Sequence, residues 1–151
     1  MNAIDLLSSQ IKNYIKYKGW KRFTPIQEFA IINILNNPHN YILSARTASG
    51  KTEAIFLPLL TNYKNTSGLK IIYISPLIAL INDQFERVYE LTKNLGVPVT
   101  KWHGEANRTA KKNLIKNPEG ILLITPESLE AMLINRPYEA IHLFEKVICY
   151  Y

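Results

Sequence analysis

The 151-residue sequence has a single cysteine, Cys149. That count excludes an internal disulfide framework and any zinc site built from several thiolates, and it makes a reducing, cytoplasmic setting the simple expectation. No apolar run approaches the length needed to cross a bilayer. The start, Met1-Asn2-Ala3-Ile4-Asp5, brings an acid early and no basic leader ahead of a long apolar stretch, so no secretory signal peptide is expected. Acids are also few: 12 Asp and Glu stand against 18 Lys and Arg, and the net charge of +6 favours contact with a polyanion without demanding it. Neither internal repeats nor low-complexity tracts are visible. What is present is a chain with 47% hydrophobic residues, enough to bury a sizeable core in one domain or part of one.

The stretch that organises the chain is Ala45-Arg46-Thr47-Ala48-Ser49-Gly50-Lys51-Thr52, between the apolar run Tyr41-Ile42-Leu43 and the helix-like Glu53-Ala54-Ile55-Phe56-Leu57. It reads as a phosphate-binding loop. A triphosphate needs convergent backbone N–H donors, a helix N-terminus, one mobile cation and a hydroxyl that helps to hold Mg²⁺. Gly50 lets the backbone curl round the phosphates, Lys51 reaches the β and γ oxygens, and Thr52 supplies the hydroxyl. Any metal would therefore come with the nucleotide. Ala45 stands where the general pattern has its first glycine. The alternative is an ordinary helix start with a solvated lysine, and the strand-like and helix-like flanks weigh against it.

In chain order, Ile4, Leu7, Ile11 and Ile15 recur at helical spacing and predict an amphipathic helix over about 3–17, ended by Gly19. Thr24 and Pro25 are placed as N-cap and first residue of a helix running to about Asn36, with Gln27 in its first turn. Gln27 is either a solvated amide or, beside a phosphate loop, a reader of adenine N6 and N7, since an amide offers both a donor and an acceptor. After the loop a helix is expected from Lys51 to about Asn65, then a flexible connection at Thr66-Ser67-Gly68. Further strands are predicted near 70–75, 97–102, 121–124 and 146–151, with helices over 77–93, 106–116, 125–135 and 138–144 between them. The basic helix with Arg108, Lys111, Lys112 and Lys116 is read as a solvated face. With a first strand at 41–43, this alternation predicts an α/β fold: a parallel sheet with helices on both faces. Right-handed crossovers would gather the phosphate loop, Ser75-Pro76, His103-Gly104 and Thr125-Pro126 at the sheet's C-terminal edge, where such sheets bind ligands.

Three landmarks in order, Phe23-Thr24-Pro25-Ile26-Gln27, Ser49-Gly50-Lys51-Thr52 and Thr125-Pro126-Glu127-Ser128, resemble the first RecA-like domain of a DEAD/DEAH-box (superfamily 2) helicase. The run from Ser75 to Gln84 and Trp102-His103-Gly104-Glu105 are similar to variants in the large helicase-related branch. The likeness covers the whole chain, so 1–151 is expected to be the N-terminal part of that RecA-like P-loop domain, with 1–40 as its helical lead-in and the second RecA-like domain absent. The resemblance implies ATP and Mg²⁺ as ligands. ATP would meet Phe23, Gln27, Thr47, Ala48, Ser49, Gly50, Lys51 and Thr52; Lys51 and Thr52 carry the catalytic role, and Thr52 meets the metal. It implies sequence-independent contacts to a DNA or RNA backbone by Ser75, Pro76, Leu77, His103, Gly104, Thr125, Pro126, Glu127 and Ser128, because hydroxyls, amides and helix N-termini bind phosphate without reading bases.

Four departures qualify the resemblance. Ala48 replaces a glycine usual in the DEAD-box loop, and Ile78 stands where many relatives have a basic residue. No aromatic occupies the upstream position used against adenine, which leaves Trp20 or Phe23 to stack there. Tyr150-Tyr151 stands where the family has its Asp-Glu pair, which holds magnesium and activates water. The expectation is a fragment able at most to bind nucleotide weakly, with no hydrolysis or unwinding, from a parent that is an ATP-dependent helicase or translocase. The alternatives are a non-catalytic nucleic-acid-binding module on the same fold, and another P-loop enzyme such as a kinase, which leaves Thr24-Pro25-Ile26-Gln27 and Thr125-Pro126-Glu127-Ser128 unexplained.

Overall fold

A computed structural model of the chain describes residues 2–63, 67–147 and 149–150, the last pair by backbone alone. Two compact units divide it, Met1–Lys64 and Asn65–Tyr151.

The first unit is helical: α1 (Ala3–Leu6), α2 (Ser9–Tyr17), α3 (Pro25–Asn36) and α4 (Lys51–Thr61). The single helix expected over 3–17 is split. Leu7 takes an extended ψ of 150°, and Ser8 caps α2 by accepting from the Ile11 N–H at 3.4 Å. A serine hydroxyl that competes for local backbone donors favours a cap over a helix interior. The end of α2 is as predicted. Gly19 at φ +68° lets the Gly19 N–H reach the Lys16 carbonyl and the Trp20 N–H reach Ile15, closing the helix in a Schellman turn. Packing of α3 on α4, α1 on α3 and α2 on α4 buries Ile11, Ile31, Phe56 and Leu57.

The strand expected at 41–43 does not form. Ile42 is 97% exposed, while the Tyr41 hydroxyl donates to the carbonyls of Asn33 and Asn37 at the end of α3. Apolar character alone does not make a strand, because its backbone groups need a ladder to pair with. The helix after the loop ends at Thr61 rather than near Asn65; Asn65 and Thr66 lie outside the described residues.

The second unit holds the sheet, with β1 (Gly68–Ile74), α5 (Ile78–Thr92), β2 (Val99–Trp102), α6 (Arg108–Lys116), β3 (Glu119–Ile124), α7 (Pro126–Asn135), α8 (Pro137–Phe144) and β4 (Cys149–Tyr150). All pairs are parallel in the order β2-β3-β1-β4. The last strand is shorter than predicted, since Lys146 lies in a turn and Val147 outside the ladder; Ile148 and Tyr151 lie outside the described residues. One core joins Leu122 and Ile124 of β3 to Leu114 of α6, Met132 of α7 and Leu143 of α8. Alternation sends the equally buried Ile121 and Leu123 to the opposite face, and α5 packs on β2 and β3 with Ile81, Val88 and Leu91 buried. Helices on both faces of a parallel sheet make this an α/β fold.

Candidate functional site

In the first unit the loop at 45–52 runs into α4 with Gly50 as N-cap at φ +83°. A Cβ at Gly50 would collide with the Gln27 amide nitrogen, so close approach as well as φ requires glycine there. Ala48 also takes the left-handed region at φ +59°, which costs an alanine about 1–2 kcal/mol relative to a right-handed backbone. The position flagged in the sequence is thus a strained one. The Lys51 ammonium donates to the Ala45 carbonyl at 2.7 Å and the Arg46 carbonyl at 2.9 Å, which turns the cation back over the loop. Ser49 Oγ is buried without a hydrogen-bond partner. Such an orphan is uncommon and suits a site that takes an oxygen-rich ligand.

A second layer fixes this loop to α3. Gln27 Oε1 accepts from the Thr24 N–H at 3.0 Å, Gln27 Nε2 donates to the Gly50 carbonyl at 3.3 Å, and the Thr24 hydroxyl donates to the Ser49 carbonyl at 2.9 Å. Gln27 is 6% exposed, and each end of its amide keeps one further hydrogen-bonding position. Phe23 and Trp20 line a cavity of about 320 Å³ in the same unit with Ile4, Ile15 and Glu28. Thr47 lies exposed in the loop, and Thr52 lies in the first turn of α4. No group of three or more His, Cys, Asp or Glu side chains among the described residues is arranged to hold a metal. By donor type, the Lys51 ammonium and the Thr52 hydroxyl suit a magnesium nucleotide.

In the second unit the register sets Ile74 beside Ile124, and Ile124 beside Trp102, so three strand ends share one edge. Backbone bonds carry the alignment one residue further, from the Ser75 N–H to the Ile124 carbonyl at 3.1 Å and from the Thr125 N–H to the Trp102 carbonyl at 3.3 Å. Ser75, His103 and Thr125 are consequently buried, while Pro76, Leu77, Gly104, Pro126 and Glu127 are exposed and Ser128 is half-buried. Thr125 Oγ1 accepts from the Ser128 N–H at 3.3 Å and donates to Ser128 Oγ at 3.0 Å, which caps α7 and fixes its first turn. His103 is 3% exposed with neither ring nitrogen bonded. Burial, then the nearby Lys101 and Lys111, push its pKa below the ordinary 6.5, with Glu105 opposing, so the ring is held neutral.

Residues whose helical spacing reads as a solvated face also meet here. Lys111 of α6 donates to the His103 carbonyl at 2.5 Å and stands 5.6 Å over the Trp102 ring. Arg108, Lys112 and Arg136 line the same cleft. The spacing of 108, 111 and 112 along a helix marks one face in the sequence, but only the fold brings Arg136 to it.

The family model described as DEAD/DEAH box helicase matches residues 24–149. The ATP-dependent helicase Lhr-Core of Methanocaldococcus jannaschii is 31% identical over 152 residues, which is 88% of this chain and 18% of the relative. The DEAD-box ATP-dependent RNA helicase RhpA of Helicobacter pylori is 30% identical over 144 residues, covering 95% of this chain and 28% of that protein. Among solved structures, the Mycobacterium smegmatis helicase Lhr bound to ssDNA and AMP-PNP superposes with a TM-score of 0.82 at 25% identity, over 99% of this chain and 20% of that one. The chain thus spans under a third of the length of each of these relatives.

Proposed function

The chain belongs to the DEAD/DEAH box helicase family, and from that premise we propose that it is the nucleotide-binding portion of an ATP-dependent DNA or RNA helicase working in the cytoplasm. The observation that carries this reading is the loop at 45–52, with its orphaned Ser49 hydroxyl, left-handed Gly50 and Lys51 ammonium turned back onto the Ala45 and Arg46 carbonyls. Lys51 and the loop amides hold the phosphates, and the Thr52 hydroxyl meets Mg²⁺. Gln27 meets adenine with its remaining donor and acceptor, and Trp20 or Phe23 stacks on the base. The capped start of α7 at Thr125, Pro126, Glu127 and Ser128 takes a strand's backbone with Ser75, Pro76, Leu77, His103 and Gly104, without reading sequence. A second RecA-like domain in the whole protein completes the hydrolytic site.

These 151 residues by themselves bind MgATP without turning it over. Tyr150 on β4 stands where the family resemblance calls for the magnesium-binding acid, and a phosphate cradle alone does not activate water. The same observation favours the second reading, a nucleic-acid-binding module that keeps the fold without hydrolysis. Calorimetric titration with MgATP and MgGTP tests the first reading: ATP is preferred, and Gln27→Ala narrows the preference. Equal binding of both nucleotides by the unaltered chain would remove the adenine role from Gln27. Steady turnover above background that Lys51→Ala abolishes would overturn the inability to hydrolyse.

A further inference from the structure

We propose that the cleft between α6 and α7 is a second nucleic-acid track, which takes the phosphodiester backbone of a single strand beyond the strand-end loops. The inference rests on the nucleic-acid reading above and extends it to residues outside the family's motifs.

The cleft holds about 590 Å³ and is lined by four cations, Arg108, Lys111, Lys112 and Arg136, with no carboxylate. Three come from one face of α6 and the fourth from the far end of α7, so the positive charge converges across a concavity instead of spreading over a convex helix. Arg108 and Lys112 are exposed and have no acidic partner among the described residues. Among the described residues Arg136 reaches the exposed Glu139, at 3.4 Å, a contact too solvated to neutralise it. Lys111 is fixed by the His103 carbonyl and the Trp102 ring, and burial and the neighbouring Arg108 lower its pKa, which an incoming anion would reverse.

Continuity names the occupant. Ser128, in the capped first turn of α7, lines this cleft and also belongs to the predicted backbone-binding set. From Ser128 to Arg136 the helix rises roughly 12 Å, so an anion at the helix start and another beside Arg136 belong to one extended polyanion. Trp102, Met132 and Ile115 give the floor an apolar character suited to ribose. A volume of this size admits a nucleotide-sized group and not a duplex.

The test is binding of a fluorescein-labelled single-stranded oligonucleotide to the full chain across a salt series, with Arg108→Glu/Lys112→Glu beside Lys12→Glu/Lys16→Glu, which changes net charge equally from α2. The cleft variant should bind at least tenfold more weakly, and its slope of log K against log salt should flatten by about 1.4, two contacts at about 0.7 each. The α2 variant should keep the unaltered slope, and both should keep MgATP affinity. Equal losses in the two variants, or an unchanged slope in the cleft variant, would overturn the track and leave the strand-end reading standing. Absence of salt-dependent binding by the unaltered chain would overturn both.

Discussion

On the proposed reading, the two units would hold phosphate differently. In the first, the donors lie on a strained loop whose groups are already bonded to one another: Lys51 to the Ala45 and Arg46 carbonyls, Gln27 to Thr24 and Gly50, and Thr24 to Ser49. A phosphate there would exchange the Lys51 bonds, while the Gln27 amide and the Ser49 hydroxyl keep unused positions, and Ala48 is held at a strained φ. In the second unit, parallel strands fix the ends at Ser75, His103 and Thr125 through backbone bonds, and α7 is capped by its own threonine. That edge is organised in advance. The contrast agrees with the proposed roles, in which the first unit would bind and release nucleotide and the second would hold a strand.

The largest expected effect separates the units by stability. Leu143→Ala removes a side chain buried in the cluster that holds Leu122 and Met132 and should destabilise the second unit by about 3 kcal/mol. Strand binding should then fail at a temperature where MgATP binding persists, as followed by fluorescence of both ligands during a melt. Simultaneous loss would break the comparison. Next is pH. Because the His103 pKa is lowered in the folded chain, the stability of its neutral form is complete above about 6.5 and declines as pH falls toward and through the lowered value. Melting temperatures from pH 8 to 5 should drop more steeply for the natural chain than for His103→Gln, and parallel profiles would exclude the ring as the cause. The smallest effect is Ala48→Gly, which relieves the left-handed strain and should raise stability by about 1 kcal/mol or less. A lowered melting temperature would show that the alanine methyl contributes packing that outweighs its φ.

Much of this was legible in the residues. The pairs Thr24-Pro25 and Thr125-Pro126 announce helix starts because a capping hydroxyl before proline has few other uses, and both lie where predicted. The β-branched run at 70–74 reads as a strand covered on both faces, and β1 forms there at the centre of a ladder between β3 and β4. The run at 41–43 has similar composition and forms no strand, since pairing is a tertiary property that composition does not carry. The helix over 3–17 breaks at Leu7 and Ser8 for a local reason, since a serine favours the N-cap position over a helix interior. The cleft between α6 and α7 could not be read in advance, because Arg136 joins Arg108 and Lys112 only after the sheet has placed both helices.

The most direct test of the account is a paired titration of the chain and of Lys51→Ala with MgATP and with a labelled single strand. Removing a charged donor from a phosphate site costs about 1.5–3 kcal/mol, so MgATP affinity should fall roughly ten- to a hundredfold. Strand affinity should stay unchanged. Undiminished MgATP binding by Lys51→Ala, or an equal loss for the strand, would contradict the assignment of nucleotide to the first unit and nucleic acid to the second.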